Sequence, residues 1–510
     1  MARYERNIFS DGQELKSWLL NVHEKYYVEL KKASAELPHS FWESYSSFSN
    51  TSGGIIILGV VEKTPQNEII GVSNTEKLQR DLWNLVSNKS KVSYRNIEND
   101  DVAMYDLDGR QIVIVQIKEA PEREKPVFLN GKTEETYIRT GDGDRRATQE
   151  ELRALLRNAC HGQDSHPAER FTLNDLDEDS VSAYKLMVSK RFPQKSYSKM
   201  SDEIFLTEIG ACFYDRDTNE LKVKRGTLLF LGKCNAIKEL FPHYHVDYFN
   251  RKGENPRWVD RISDDELGNE EMNLFHFYLR VYEKLRSLSM DEFSLDKQNR
   301  RAPVSDFDET LRECLVNTLA HADYDQGYPT IKIEVKNGCF SFINPGKMLV
   351  SPHQFVIGGD SRPRNEIVMK LFRFLGASER QGMGGPTIFK SASNQKYRRP
   401  EIETNIERTE LKVWNIDLAD SYPDLGEDEK DVLRVIVKSG KALSINEIKK
   451  QIGSTDYRLR KHLVPRLLAN NLIQKMGVGR ATKYCVSVTS AEIYTQVQMV
   501  LDSLKKMIKR

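Results

Sequence analysis

The stretch SNTSGGIIILGVVE, residues 49–62, constrains this chain more than any other. IIILGVVE is continuous and β-branched, so it reads as a buried strand and not as a half-exposed one. Helix-patterned text from Glu36 to Asn50 runs into Gly53 and Gly54 just before it. RQIVIVQIKEA (110–120) reads as a second strand. Farther on come a helix near Ser180 to Phe192, an apolar strand at GTLLFLG (226–232), a helix from Asp308 to Ala320, and strands at TIKIEVKNG (330–338) and CFSFINPG (339–346). The end reads as three helices and a hairpin. Strands interleaved with helices in this way predict an α+β multidomain chain with mixed sheets.

A length of 510 residues corresponds to about three or four domains. Three polar stretches mark the boundaries: CHGQDSHPAERF (160–171), ISDDELGNEE (262–271) and DSYPDLGEDEK (420–430). They divide the chain into four segments, about 1–160, 161–300, 301–420 and 425–510, the last read as a module at 425–488 followed by a terminal helix at 489–510. The six cysteines are scattered and form no Cys-x-x-Cys pair, which argues against a zinc site or a disulfide framework. No apolar run approaches the roughly 20 residues that span a bilayer, and the polar N-terminus lacks an apolar signal core. A reducing cytoplasm and no membrane partner are expected. Net charge is +1, yet from Lys441 to Arg510 there are 14 Lys and Arg against 4 Asp and Glu. A basic end of this kind is either an electrostatic footprint for nucleic acid or a solvated tail.

Glu24 and Glu29 stand five apart, with Lys31 just beyond, and Glu62 ends the apolar run. On one strand an odd spacing puts two side chains on opposite faces, so a bend or helix must bring the two acids together. Converging acids can hold Mg²⁺ or Mn²⁺, and the metal then activates water for phosphodiester attack. The bland reading is solvated surface acids. The run Glu24-x4-Glu29-Leu-Lys31, followed by SSFSNTSGGIIILGVVE, EIIGV, KPVF and YIRTGDGDRRAT, resembles the Schlafen AlbA-type domain at each landmark. The resemblance implies an α/β nucleic-acid-binding domain. It also implies candidate catalytic and metal-binding acids Glu24, Glu29 and Glu62, with Glu62 where the family commonly has Asp. Lys31, Arg139, Arg145 and Arg146 are candidate phosphate contacts.

In DETLRECLVNTLAHADYD (308–325), Leu311, Leu315 and Leu319 recur every four residues and make one core face. Glu313 and Asn317 share another face. A carboxylate there can orient an attacking water, and an amide can ligate Mg²⁺. FINPGKM then turns at Pro345 and Gly346, and ERQGMGGPTIF sets Gly382, Gly384 and Gly385 before a helix. Such a turn offers backbone N–H groups to phosphate. The ordered set ECLVNTLAHADYD, INPGKML and SRPRNEIVMKLFRFLGASERQGMGGPTI resembles the divergent GHKL (Bergerat)-like ATPase domain, an ATP-binding α/β sandwich. The resemblance implies ATP and Mg²⁺ as cofactors. Glu313 would be the water-orienting base and Asn317 the metal ligand. Asn344 would read the adenine amino group where better-known members use Asp. Gly346, Gly382, Gly384 and Arg380 would border the nucleotide, and Arg362 and Arg364 would belong to a lid. His321, Asp323 and Tyr324 match the family's helix ending.

His243, His245 and Asp247 alternate along a strand, interleaved with aromatics, and read as a packed strand edge. The end reads as a winged helix. Ser444 is a plausible N-cap before Ile445, Ile448 and Ile452. STDYRLRKHLVPRLLANN would be the recognition helix, with Tyr457, Arg458, Arg460, Lys461 and His462 toward a groove, and Arg480 and Lys483 at the wing. Winged helices also dock proteins. The last helix carries an apolar stripe at Ile493, Val497, Leu501, Leu504 and Ile508, which suggests packing on a partner chain or on its own domain; a homo-oligomer is expected. These features support an ATP-switched nucleic-acid-binding regulator, transcriptional or defence-related. Two alternatives stay open: an ATP-gated, metal-dependent nuclease acting in antiphage defence, and an ATP-controlled assembly protein docking through its winged helix.

Overall fold

The computed structural model describes residues 12–24, 27–33, 36–159, 162–251, 257–265, 271–289, 306–359, 362–378, 382–395, 397–439, 442–476 and 482–487. The chain is α+β and divides into two compact units, one from Met1–His161 with Asn405–Glu407 and the other from Gly162–Thr404 and Arg408–Glu492. The division between the units falls at His161 and Gly162, inside the polar stretch 160–171. Among the described residues, no helix is long and apolar enough to cross a membrane.

The first unit is built on a four-stranded sheet. Its elements are α1 (Gly12–Asn21), β1 (Val28–Lys31), α2 (His39–Asn50), β2 (Gly54–Leu58), β3 (Val102–Leu107) and β4 (Arg110–Ile117), followed by the hairpin β5 (Lys132–Thr140) and β6 (Gly143–Arg146). The order is β1-β2-β4-β3, with β1 parallel to β2 and the other pairs antiparallel. Ile56 and Leu58 enter one core with Phe41, Tyr45 and Phe48 of α2. Ile55 and Ile57 enter another with Leu15 and Leu19 of α1. Both faces of β2 are covered, which is why its sequence does not alternate. A Cβ on Gly53 would stand 2.8 Å from the Ile117 carbonyl oxygen, and one on Gly54 2.5 Å from the Phe48 ring. The two glycines let α2 fold straight back onto the sheet.

The expected strand does not run unbroken to Glu62. At Gly59 (φ +96°) the chain turns against the backbone of Gly71, and Val60–Val61 pairs with Glu68–Ile69 instead.

The second unit opens with α3 (Glu178–Arg191) and α4 (Arg225–Leu231). Here GTLLFLG is helical, not the expected strand. Leu228, Leu229, Phe230 and Leu231 are all fully buried, and an apolar run buried on every side carries no period that separates helix from strand. Next come β7 (Val246–Arg251), β8 (Trp258–Ser263), α5 (Leu274–Ser289), α6 (Asp306–His321), β9 (Ile331–Lys336), β10 (Cys339–Pro345), α7 (Pro352–Ile357), α8 (Glu366–Leu375), α9 (Gly384–Gln395), β11 (Glu401–Thr404) and β12 (Arg408–Trp414). The six strands form one sheet, ordered β8-β7-β9-β10-β12-β11. α6 packs on β10 and against α5, α8 and α9, with Leu311, Leu315 and Leu319 fully buried as their spacing predicts. The boundary expected near residue 300 does not separate two cores. β7 and β8 complete the same sheet, and one apolar cluster runs from Ala168 to Val413.

The C-terminal part holds α10 (Glu427–Ser439), α11 (Ile445–Ile452) and a third helix, Asp456–Arg458 and Val464–Ala469 joined through a π turn at Leu459–Leu463. The hairpin β13 (Ile473–Met476) and β14 (Lys483–Val486) follows. This is the element order that the sequence predicts. Ser444 caps α11, accepting from the Glu447 N–H while the Glu447 carboxylate accepts from the Ser444 N–H. The apolar stripe from Ile493 to Ile508 lies outside the described residues.

Candidate functional site

The second unit holds a cavity framed by α6, the end of β10, α8 and the start of α9. Glu313 and Asn317, one helical turn apart on α6, both line it, and Asn317 Nδ2 donates to Glu313 Oε1 at 3.1 Å. Burial pushes the Glu313 carboxyl above its ordinary range, and the Asn317 bond opposes that shift. Asn344 and Thr409 face one another across the β10–β12 ladder and both reach the cavity. Asn344 Nδ2 donates to the Pro345 carbonyl at 3.1 Å.

Glycines close the opposite wall. A Cβ on Gly384 would stand 2.1 Å from Glu313 Oε1, one on Gly385 1.8 Å from the Phe355 carbonyl oxygen, and one on Gly382 (φ +74°) 2.0 Å from the Gly359 carbonyl oxygen. The Gly359 N–H also donates to the Gly382 carbonyl at 3.1 Å. The Gly-rich turn is therefore seated on the Glu313–Asn317 pair of α6 and clasped by Gly358–Gly359 after α7. The expected helix follows, but it begins at Gly384, so Gly384 and Gly385 form its first turn and only Gly382 precedes it. Gly346 (φ +88°) makes the turn after β10, where a Cβ would press on Asp323 and Arg364.

Arg362 lines the cavity. Arg364 does not act as a lid. Its guanidinium donates to the carbonyls of His321 (3.2 Å) and Lys347 (2.9 Å) and ties the end of α6 to the turn. His321 also lines the cavity, its pKa pushed down to about 4 by burial and by Arg364, so it is neutral near pH 7. Asp323 and Tyr324 close the helix: the Asp323 N–H donates to the Pro345 carbonyl at 3.0 Å, and Tyr324 Oη to the Leu319 carbonyl at 2.8 Å. Arg380 lies outside the described residues. Sequence reasoning passed over Lys347, Arg373 and the Gly358–Gly359 pair. The four-residue spacing of Met369 and Arg373, both cavity-lining, was the available signal for α8.

In the first unit, Glu29 and Lys31 lie two apart on β1 and so share a face. The Glu29 carboxylate meets Lys31 Nζ at 2.8 Å and the Arg139 guanidinium at 2.6 Å, and Arg139 also reaches Asp144 at 2.9 Å. Ser44 and Ser47 donate to Asp144. Lys31 and Arg139, expected to meet phosphate, are instead buried, because they neutralise acids inside the unit. Arg145 is bound to Glu151, while Arg146 is exposed.

Glu24 Oε1 accepts from the Leu30 N–H at 3.1 Å, and its carboxyl is pushed up by burial and by Glu29. Glu62 meets His23 at 3.0 Å and accepts from the Glu24 N–H at 3.2 Å. The three acids are neighbours, but their oxygens do not converge on one ion-sized point. Among the described residues only His245, Asp264 and Asp265 do so. His245 is held by Asp247 and Asp264, each at 2.7 Å, and is pushed up to about 10 by those two bonds. These bonds hold His245 in an ion-pair network; His243 and His245 precede β7 instead of alternating along it, and only Asp247 lies on the strand.

On the third C-terminal helix, Arg458 is paired with Asp428 and Arg460 with Asp456 at 2.8 Å. Lys461 and Lys483 are exposed, and Arg480 lies outside the described residues.

Comparison with known families agrees with both resemblances. The model described as "Schlafen, AlbA_2" matches residues 24–148, and the one described as "Putative ATP-dependent DNA helicase recG C-terminal" matches residues 329–413. The chain carries a Schlafen AlbA_2 domain and a recG C-terminal (HATPase_c_4) domain. The AlbA_2 match spans Glu24, Glu29, Glu62 and Arg139. The HATPase_c_4 match spans Asn344, the Gly-rich turn and Thr409 but begins after α6, so Glu313 and Asn317 reach the cavity from outside it. A domain of unknown function, DUF8451, matches residues 153–247. Among solved structures, the DIP2311 protein from Corynebacterium diphtheriae is 16% identical over 94% of this chain and 97% of its own, with a TM-score of 0.41. The N-terminal domain of a RecG-related protein from Nitrosomonas europaea is 26% identical over 27% of this chain and 90% of its own, with a TM-score of 0.19. No curated protein matches the chain.

Proposed function

We propose that this chain is an ATP-binding, nucleic-acid-binding regulator of the cytoplasm, switched by nucleotide occupancy. The observation that carries the reading is the cavity in which the Glu313–Asn317 pair meets the Gly382–Gly384 turn and Asn344. The residues fit a magnesium nucleotide. Asn317 supplies an oxygen for the metal, and the turn before α9 supplies backbone N–H groups for phosphate. Burial raises the Glu313 carboxyl, the direction that suits a general base. Asn344 spends one amide hydrogen on Pro345, and its side-chain oxygen can accept from a base amino group. Bound ATP would supply a cleavable phosphoanhydride. The switch follows from packing. Gly384 sits on Glu313, so phosphate can reach the pair only when the turn moves off α6, and nucleotide favours the displaced state.

The AlbA_2 domain and the basic C-terminal part, read as a winged helix, are the nucleic-acid contacts. With Lys31 and Arg139 buried, the contacts fall to Arg146, Lys461 and Lys483. Calorimetric titration of Mg²⁺–ATP into the full chain tests the reading. Binding lost in Asn317→Ala but kept in Glu313→Gln supports it, and no binding at millimolar ATP overturns it. Duplex DNA and RNA affinity that stays flat when salt rises from about 50 to 200 mM would favour an assembly role instead.

One observation favours a nuclease: Glu24, with its raised carboxyl, neighbours Glu29 and Glu62. Glu29 already spends its charge on Lys31 and Arg139, which leaves little for a metal. Cutting that vanishes in Glu24→Gln would restore that reading.

A further inference from the structure

α8 is amphipathic. Met369 and Arg373 line the cavity, while Val368, Leu371 and Phe372 are buried. Its position is set by the preceding module and not by the sheet alone. Asp164 accepts the N–H groups of Glu366 (2.9 Å), Ile367 (2.7 Å) and Val368 (3.1 Å) at the start of α8. Tyr184, fully buried on α3, donates its hydroxyl to the Leu371 carbonyl at 3.0 Å. At the far end, the Arg191 guanidinium lies so close to Gly376 that a Cβ there would stand 1.7 Å from it. All three belong to the stretch matched by the domain of unknown function.

Apolar packing tolerates some sliding of a helix along its axis. One carboxylate holding three successive N–H groups does not, since a slip of about 1.5 Å, one residue, exchanges every partner. The cavity that α8 borders also has an uneven charge. Lys347, Arg362 and Arg373 face it, against the single carboxylate of Glu313. Such a lining suits a polyanion, and a guanidinium carried on a fixed helix loses little freedom on meeting phosphate.

We propose that Arg373 is a phosphate-contacting specificity residue of the nucleotide cavity, and that Asp164 and Tyr184 are positioning residues that set it through α8. The 153–247 module thereby acquires a role as the frame of the nucleotide site. This inference rests on the ATP reading above.

The test is calorimetric binding of ATP, ADP and adenosine to the full chain with Mg²⁺. Arg373→Gln should weaken ATP by about tenfold and leave adenosine unchanged, with Arg373→Lys between. Asp164→Ala and the milder Tyr184→Phe should shrink the ATP-over-adenosine preference in the same direction. Neither should shrink it further once Arg373 is Gln. An unchanged preference in Arg373→Gln overturns the phosphate contact while leaving the ATP reading intact. Equal loss of ATP and adenosine in Tyr184→Phe, or additivity with Arg373→Gln, overturns positioning. A wild-type chain that binds neither ligand overturns the ATP reading, and this inference with it.

Discussion

Glu29 is the position where a catalytic role and a structural role predict different outcomes. Its side chain is 11% exposed and sits against Lys31 at 9% and Arg139 at 0%; Asp144, the second carboxylate of the cluster, is at 9%. Two buried cations face two buried carboxylates. Glu29→Gln keeps the shape but removes one charge, which leaves the cluster net positive in a poorly hydrated place. Breaking a buried pair from one side costs about 3–5 kcal/mol. For a unit of this size each kcal/mol moves the melting temperature by about 2–4 °C, so a fall of about 6–20 °C is expected. Glu62→Gln, at an exposed pair with His23, should cost about 0–1 kcal/mol. Differential scanning calorimetry of the full chain reads both, with the transition of the first unit moving and that of the second staying. A Glu29→Gln chain that melts within about 2 °C of wild type would refute the argument that this acid is spent on structure. If the large shift is found, lost cutting in a Glu29 variant is no evidence for a catalytic acid, and Glu24→Gln becomes the clean probe.

Gly385→Ala should destabilise the second unit and abolish nucleotide binding, because the new Cβ would stand 1.8 Å from the backbone oxygen of Phe355. Gly426→Ala, whose new Cβ would stand 3.7 Å from the Glu429 carboxylate, is the matched control. His245 is raised to about 10 from its ordinary 6.5. Its stabilising effect is therefore complete below pH 6.5 and is lost as pH rises through about 10. Urea unfolding between pH 8 and 10.5 should show that loss in wild type and a flatter profile in His245→Gln. His321, lowered to about 4, works in the opposite sense, since the unfolded chain takes up its proton first. Stability should fall as pH drops from 6.5 toward 4, and His321→Gln should remove that part of the acid limb. Lys461→Ala should lower the salt slope of nucleic-acid binding by about one, with ATP affinity unchanged.

Local periodicity was enough to read the buried strand at Ile55–Leu58 and the α6 face with Leu311, Leu315 and Leu319. It also showed the shared face of Glu313 and Asn317, and the Gly residues marked the turns at 346 and 382. Each is a relation between residues a few positions apart, and helix or strand geometry alone sets it. The Ser444 N-cap was legible for the same reason. GTLLFLG was not, because a run buried on all sides has no polar residue to mark its period. The boundary near residue 300 also failed, since a strand's neighbours in a sheet need not be its neighbours in the chain: β7 pairs in parallel with β9 across it.

Charge was the least legible property. Lys31 and Arg139 are the same residue types whether they face phosphate or a buried carboxylate, and only the approach of β5 to β1 made them internal. The clasp of Gly358–Gly359 on the Gly-rich turn, and the reach of Asp164 to an N–H 202 residues away, are likewise products of the tertiary structure. The sequence by itself determined which residues share a face. Which faces meet was decided by long-range packing, because a contact between distant segments depends on every element that folds between them.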